Sequence, residues 1–512
     1  MPQKTPTPLY EKLLSGQRIR KSKISGRSLE EEAESDKGRV LFSAPFRRLQ
    51  SKAQVFALET NASVRSRLTH TLEVATVGRQ LAQETFNEFD RLGELERLGL
   101  KGKDRAFVTF VDAACLIHDL GNPPFGHFGE AAISEWFHAR GDELKPPQIT
   151  AKAQKLWEDH YRDLVNFDGN PQGLRIVTHL QCEETRDFTG LNLTATTIAA
   201  TIKYPHSSGE LEAPKKKKAG FFQTEKDVVA KVWTILGTDG KGRHPLATLM
   251  EAADDVAYCI SDIEDGIEKR IVGQDEMAEF IKNGILKYKK HPIFGKMVPE
   301  ILPLLQQLRT YGVSGTTKPK ARKLSPITDV RYCVLRHLAK YVGQQFCERH
   351  EAILAGEDNE PLIKDGGDDA VINVFRAFAE QKLYRSRLIM QREISAHATL
   401  SGLLDAYRKV MVDDKDRFQN AMKGKSAPDG VSRITVEASL LSQIGEKHRE
   451  AYFAHVNAIS KNSPAKERDV LERIYRIRMI VDFISGMTDD FALRAFQLVS
   501  GASTGGGWSD RP

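Results

Sequence analysis

The sequence predicts an all-α protein. Three observations predict it: apolar residues recur at helical spacing through most of the chain, no alternating apolar and polar run extends beyond a few residues, and no unit repeats at a fixed period. Residues 1–37 read as a polar N-terminal segment. Leu68 to Phe89 is the first long amphipathic helix, with Leu68, Leu72, Ala75, Leu81, Phe86 and Phe89 as its apolar stripe. Ala106 to Leu120 repeats the pattern through Phe107, Phe110, Val111, Ala114 and Cys115, and stops where Gly121 and the Pro123-Pro124 pair cannot continue it. Leu246 to Ile271 is the third such helix, and residues 331–355, 369–393, 434–460 and 466–499 make the C-terminal third helical as well. Breakers near 207–220, 312–326, 356–369 and 424–430 read as surface loops. The glycine-rich tail 501–512 carries too little apolar surface to pack and reads as disordered. The expected organisation is therefore a polar segment at 1–37, a core with insertions over 38–330, a helical region over 331–500 packed on that core, and the tail.

Composition excludes several classes. With 40% hydrophobic and 28% charged residues and only 21 prolines among 512, the chain is globular rather than disordered or fibrous. Its 75 basic and 69 acidic side chains leave a net charge of +6, too even for nucleic-acid binding by bulk electrostatics. Two local basic clusters, Lys215 to Lys218 and KPKARK at 318–323, offer a polyanion a foothold, although solvated loops account for either cluster alone. The five cysteines, at 115, 182, 259, 333 and 347, are odd in number and contain no CxxC pair, so they signal neither a disulfide framework nor a zinc knuckle. A reducing cytoplasm fits them. The opening MPQKTPTPLYEKLL lacks the apolar stretch of a signal peptide, and no run of about 18 apolar residues spans a bilayer.

The most informative stretch is CLIHDLGNPPFGHFGE at 115–130. His118 continues the face marked by Phe107, Val111 and Ala114, and in the last turn of a helix the backbone can turn both His118 and Asp119 toward one point. Taken alone, the pair reads as a core histidine beside a solvated carboxylate. Two further segments change that reading. His70 sits between Leu68 and Leu72 on an amphipathic helix, an awkward place for a polar ring with nothing to bind. Asp254 lies among Leu249, Met250, Ala253 and Ala257, and a carboxylate buried there needs a cation or strong donors. Two imidazoles and two carboxylates from three helices make a mixed nitrogen and oxygen site that suits manganese, iron or zinc, with magnesium less natural.

These segments, in this order, resemble the HD-domain phosphohydrolases. FRRLQSKAQVF at 46–56, RSRLTHTLEVATVGR at 65–79, HDLGNPPFGHFGE and ADDVAYCISDIEDG at 253–266 are similar more closely to the deoxyguanosinetriphosphate triphosphohydrolases. The resemblance is specific over roughly 38–130 and 244–270, and looser elsewhere up to about residue 330. It implies an HD-type catalytic core at 38–330 and a single divalent ion, manganese in the first place with magnesium, iron or zinc as alternatives, held by His70, His118, Asp119 and Asp254. Asp255 competes for the last position, and Asp254 is preferred because it matches the family's Ala-Asp-x-x-Ala-Tyr arrangement.

The resemblance also implies a catalytic pair, His127 and Glu130, acting at the scissile phosphate. Tyr258 and Asp262 would face the deoxyribose, the ring excluding a 2′-hydroxyl and the carboxylate accepting from the 3′-OH. Gln54, Arg67 and Lys203 would touch sugar or phosphates, and an insertion-like stretch, 207–218, follows Lys203. The implied reaction is hydrolysis of a deoxynucleoside triphosphate, dGTP in particular, to deoxynucleoside and inorganic triphosphate. A homo-oligomer, a hexamer, and single-stranded DNA as allosteric effector are the implied partners. Two alternatives remain open: another HD phosphohydrolase, acting on cyclic nucleotides or guanosine tetraphosphate, and a non-catalytic nucleic-acid-binding regulator on the same fold.

Overall fold

The computed structural model describes residues 8–59, 61–181, 190–210, 218–313, 326–364, 371–423 and 435–502. Among them there is no β-strand, only isolated backbone bridges such as Arg18 with Thr194 and Ala53 with Ser66. The all-α expectation therefore holds. No helix among the described residues is long and apolar enough to cross a membrane.

The organising element is the helix Arg67–Arg91. Ser66 starts it with a reciprocal cap: its Oγ accepts the Thr69 N–H while its own N–H donates to Thr69 Oγ1 at 3.0 Å. It packs against the helices Asp104–Ile117, Pro245–Glu268 and Pro326–Ala355. Its buried face runs through His70, Thr71, Val74, Ala75 and Gly78, whereas Leu72 is exposed. The stripe read from the sequence is therefore rotated at its start. Helix Asp104–Ile117 is buried on every side from Ala106 onward, as an apolar helix in the centre of a large fold must be.

Helix Pro245–Glu268 begins with Pro245 in the first turn, where a missing N–H costs nothing, and with His244 as its cap. His244 Nδ1 accepts the Leu246 N–H at 3.2 Å, which leaves Nε2–H to donate to the Leu13 carbonyl at 3.2 Å. Both bonds require the neutral ring, and burial lowers its pKa to about 4.

Farther on, the long periodic stretches resolve into more pieces than periodicity shows. Residues 331–355 fall within Pro326–Ala355, but 369–393 divides into Ile372–Phe378, a π-helical stretch Ala379–Leu383, and the start of Arg387–Val412. Gly445 separates Val436–Gln443 from Glu446–Ala458, and Gly486 separates Ala465–Ser485 from Asp489–Val499. Of the expected loops, Ser208–Glu210 forms a single 3-10 turn. The stretches 211–217, 314–325, 365–370 and 424–434, the tail beyond 502, Cys182, Lys215 to Lys217 and KPKARK lie outside the described residues. Lys218 pairs with Asp168 at 2.9 Å.

Two large apolar cores and two small satellite clusters form among the described residues. The larger gathers side chains from Tyr10 to Ala379, including Tyr10, Leu13 and Leu14 of the segment whose composition reads as polar. The smaller joins the helices His127–His138 and Ala151–Val165 to Arg387–Val412 and Ala465–Ser485. Buried ion pairs bind the C-terminal region to the rest: Asp482 receives Arg175 at 2.8 Å, and Arg478 reaches Asp163 at 3.2 Å. The loop 118–126 that follows helix Asp104–Ile117 gives Leu120 to the larger core and Phe125 to the smaller.

Candidate active site

Helix Asp104–Ile117 ends at His118, and Asp119 follows in the turn. Gly121 lets that turn lie against the helix Gly169–Arg175: a side chain there would meet the Gly169 carbonyl oxygen at 2.1 Å. His118 Nδ1–H donates to the Cys115 carbonyl at 2.7 Å, which leaves Nε2 as the nitrogen facing inward. That buried nitrogen has no hydrogen-bond partner. It stands 3.5 Å from Asp119 Oδ1 and 3.6 Å from Asp254 Oδ1, while His70 Nε2 lies 3.1 Å from the same Asp254 oxygen. The ligating atoms of His70, His118 and Asp119 all fall within 4.8 Å of one another.

Electrostatics point to a missing positive charge. Burial works to lower the His118 pKa, yet Asp119 and Asp254 raise it to about 9. Burial would lift Asp254, but His118 and His70 hold it well below the usual carboxylate range. The protein thus draws a proton onto a ring whose outward nitrogen is already bonded. A divalent cation satisfies the orphaned Nε2 and both carboxylates at once, and this donor set fits one. Asp255 turns elsewhere: it pairs with Arg376 at 3.0 Å, and burial pushes its pKa up to about 7.

Asp119 is held on both oxygens. Arg67 Nη1 donates to Oδ2 at 2.7 Å, and the Asn122 side-chain amide donates to Oδ1. Arg67, expected to clamp a phosphate beside the ion, has its guanidinium against Asp119, with Nε buried and unpartnered. Gly126, at φ 61°, gives it room, because a Cβ there would lie 2.4 Å from Nη2. Sequence reasoning missed Lys52, whose buried ammonium donates to the Asn122 carbonyl and, at 3.0 Å, to the Ser485 carbonyl. Burial lowers its pKa to about 7. It also missed Asp489, which accepts the Phe125 N–H and the Ala53 N–H, each at 3.0 Å. Phe125 has a φ of 65°, a strained value for a bulky residue that this contact holds in place.

His127 and Glu130 sit in the first turn of the next helix, paired at 2.7 Å. The other Glu130 oxygen accepts the Gly169 N–H at 2.7 Å, which fixes the carboxylate and so the ring. Glu130 raises the His127 pKa, and the ring is 72% exposed, open to a substrate. Asp262 is fully buried, and burial pushes its pKa up to about 8 although the Tyr384 hydroxyl donates to Oδ2 at 2.7 Å. Tyr384 stacks on Tyr258 at 6.1 Å, and nothing in the sequence near either residue announces the pairing. Lys203 lies 3.4 Å from Glu251 on the Asp254 helix. Gln54 follows the Lys52-Ala53 segment laid against the start of helix Arg67–Arg91, and its buried Oε1 has no partner.

The comparisons agree with this geometry. The HD domain family matches residues 67–257, and a phosphohydrolase-associated domain matches 449–498. HD phosphohydrolases depend on a divalent cation, and His70, His118 and Asp119 form a candidate site for it. The chain is 33% identical over 489 residues to the deoxyguanosinetriphosphate triphosphohydrolase of Klebsiella pneumoniae, covering 90% of this chain and 92% of that protein. The proteins of the same name from Enterobacter sp. and Salmonella typhimurium are each 32% identical, again across 90% of this chain and more than nine-tenths of their own length. Carried along nearly its whole length by that likeness, and bearing the HD corner in folded form, the chain belongs to the deoxyguanosinetriphosphate triphosphohydrolase family of HD-domain phosphohydrolases.

Proposed function

We propose that the protein hydrolyses deoxynucleoside triphosphates, dGTP first among them, to deoxynucleoside and inorganic triphosphate. The observation that carries the reading is the unpartnered His118 Nε2 facing Asp119 and Asp254, in a chain whose relatives are named for this activity. Those relatives favour it over cyclic-nucleotide or guanosine tetraphosphate hydrolysis and over a non-catalytic regulator.

His70, His118, Asp119 and Asp254 would hold one divalent ion, manganese in our reading. When bound, the ion supplies Lewis acidity to an α-phosphate oxygen and acidifies water. Arg67 holds Asp119 in place and, through its free Nε, carries positive charge toward the phosphates. His127, oriented by Glu130 and exposed, handles a proton at the nucleophile or at the departing 5′ oxygen. Tyr258 and Asp262 read the deoxyribose, and Gln54 and Lys203 contact sugar and phosphate. A homo-oligomer, a hexamer, single-stranded DNA as effector and a cytoplasmic location complete the proposal; the described cysteines are all free, in keeping with that compartment.

The test is to incubate manganese-loaded protein with each of the four dNTPs and with GTP and to separate the products by chromatography. Deoxyguanosine and triphosphate from dGTP, with slow turnover of GTP, are expected. Pyrophosphate with dGMP overturns the cleavage site, and rapid GTP hydrolysis overturns the role of Tyr258.

A further inference from the structure

Away from the active site, three different metal-ligating side chains converge from two helices. Cys333 and His337 stand four residues apart on one face of Pro326–Ala355, and Glu300 faces them from Phe294–Val313. Glu300 Oε2 lies 3.2 Å from His337 Nε2 and 3.8 Å from Cys333 Sγ. A tetrahedral zinc ion, with bonds of about 2.0 Å to nitrogen and oxygen and about 2.3 Å to sulfur, sets those two edges at about 3.3 and 3.5 Å. The side chains already stand close to these separations.

Cys333 and His337 are each 7% exposed, so helix packing fixes two ligands before any ion arrives. The Glu300 side chain, 43% exposed, leaves the third on the solvent side, where an ion enters and a water completes the shell. Thiolate, imidazole and carboxylate together select zinc over manganese or magnesium, unlike the sulfur-free site at His118. Arg336 is the competitor: it bonds the same Glu300 oxygen, but its side chain is 60% exposed and can swing into water.

We propose that Glu300, Cys333 and His337, with a water as fourth ligand, form a second metal site that takes zinc and clamps the helix Phe294–Val313 to Pro326–Ala355. Binding releases the Cys333 thiol proton to solvent; burial, together with Glu300, pushes that thiol up to about 11 until a cation replaces the proton. The clamp has a bearing on the active site. Arg331, on the same helix, pairs at 3.1 Å with Glu264 on the helix that carries Asp254.

The experiment titrates cobalt(II) into the purified full chain and follows the near-ultraviolet sulfur-to-cobalt charge-transfer band. A saturating band is expected in the unaltered protein, within two equivalents because the site at His118 also takes the ion without adding a sulfur band, and at a single equivalent in Asp119→Ala; its loss is expected in Cys333→Ser and His337→Ala. Manganese-supported dGTP turnover should persist in Cys333→Ser, which shows that the fold survives. Arg336→Gln, which removes the competing charge, should tighten cobalt binding roughly fivefold. No band in the unaltered protein, a band that survives Cys333→Ser, or one that disappears in Asp119→Ala overturns the proposal.

Discussion

Asp119 turns one oxygen to His118 and the Asn122 amide and the other to Arg67. Asp119→Ala therefore removes a ligand and strands a buried guanidinium; bound manganese should vanish and triphosphate release should fall by roughly a thousandfold or more, read by metal analysis and product assay. Glu130→Gln removes the carboxylate that raises the His127 pKa, so the limb of the pH-rate profile that His127 controls should move to lower pH, with the fold unchanged. Burial pushes Asp262 up to about 8, which favours its protonated form. Its neutral isostere Asp262→Asn should keep KM for dGTP within about tenfold, whereas Asp262→Ala leaves the Tyr384 hydroxyl without its acceptor and should raise KM further. The residues legible in the sequence were those whose type was costly where they stood: a histidine and an aspartate on apolar helix faces. Choosing Asp254 over Asp255 rests on resemblance, and the pairing of Asp255 with Arg376 favours the same choice. Tyr384 escaped notice because a tyrosine in a helical stretch is ordinary until its neighbour across the fold is known.

At the scale of elements, the long helices were legible because their apolar periodicity extends over many turns, and the short breaks were not. A glycine such as Gly445 or Gly486 interrupts a helix without disturbing the stripe on either side. The cap of the Asp254 helix yields a prediction. His244 and His448 are buried and lowered to about 4 by that burial, while histidine in an unfolded chain titrates near 6.5. A depressed pKa means that their contribution is complete above about pH 6.5 and is lost as the pH falls toward 4. The melting temperature should drop across that window. His244→Asn, which can still cap the helix and cannot titrate, should flatten the drop in a thermal scan at stepped pH.

The molecule as a whole is held by contacts between distant parts of the chain. Asp489 satisfies two backbone donors 436 and 364 residues away, and no local pattern could have announced it. Asp489→Ala should cost about 2–5 kcal/mol by leaving both N–H groups buried and unpaired, measured by chemical denaturation, and should lower kcat because Phe125 is no longer held at its positive φ. Lys52 adds a second tie, spanning the Asn122 carbonyl beside the metal ligands and the Ser485 carbonyl at the end of a C-terminal helix. These ties impose an order on biosynthesis. His70, His118, Asp119 and Asp254 are translated well before Ser485 and Asp489, which tie down the loop beside His118 and Asp119. A nascent chain can therefore bury much of its interior before that loop is fixed, so that dNTP hydrolysis should wait on the synthesis of the segment that carries Asp489.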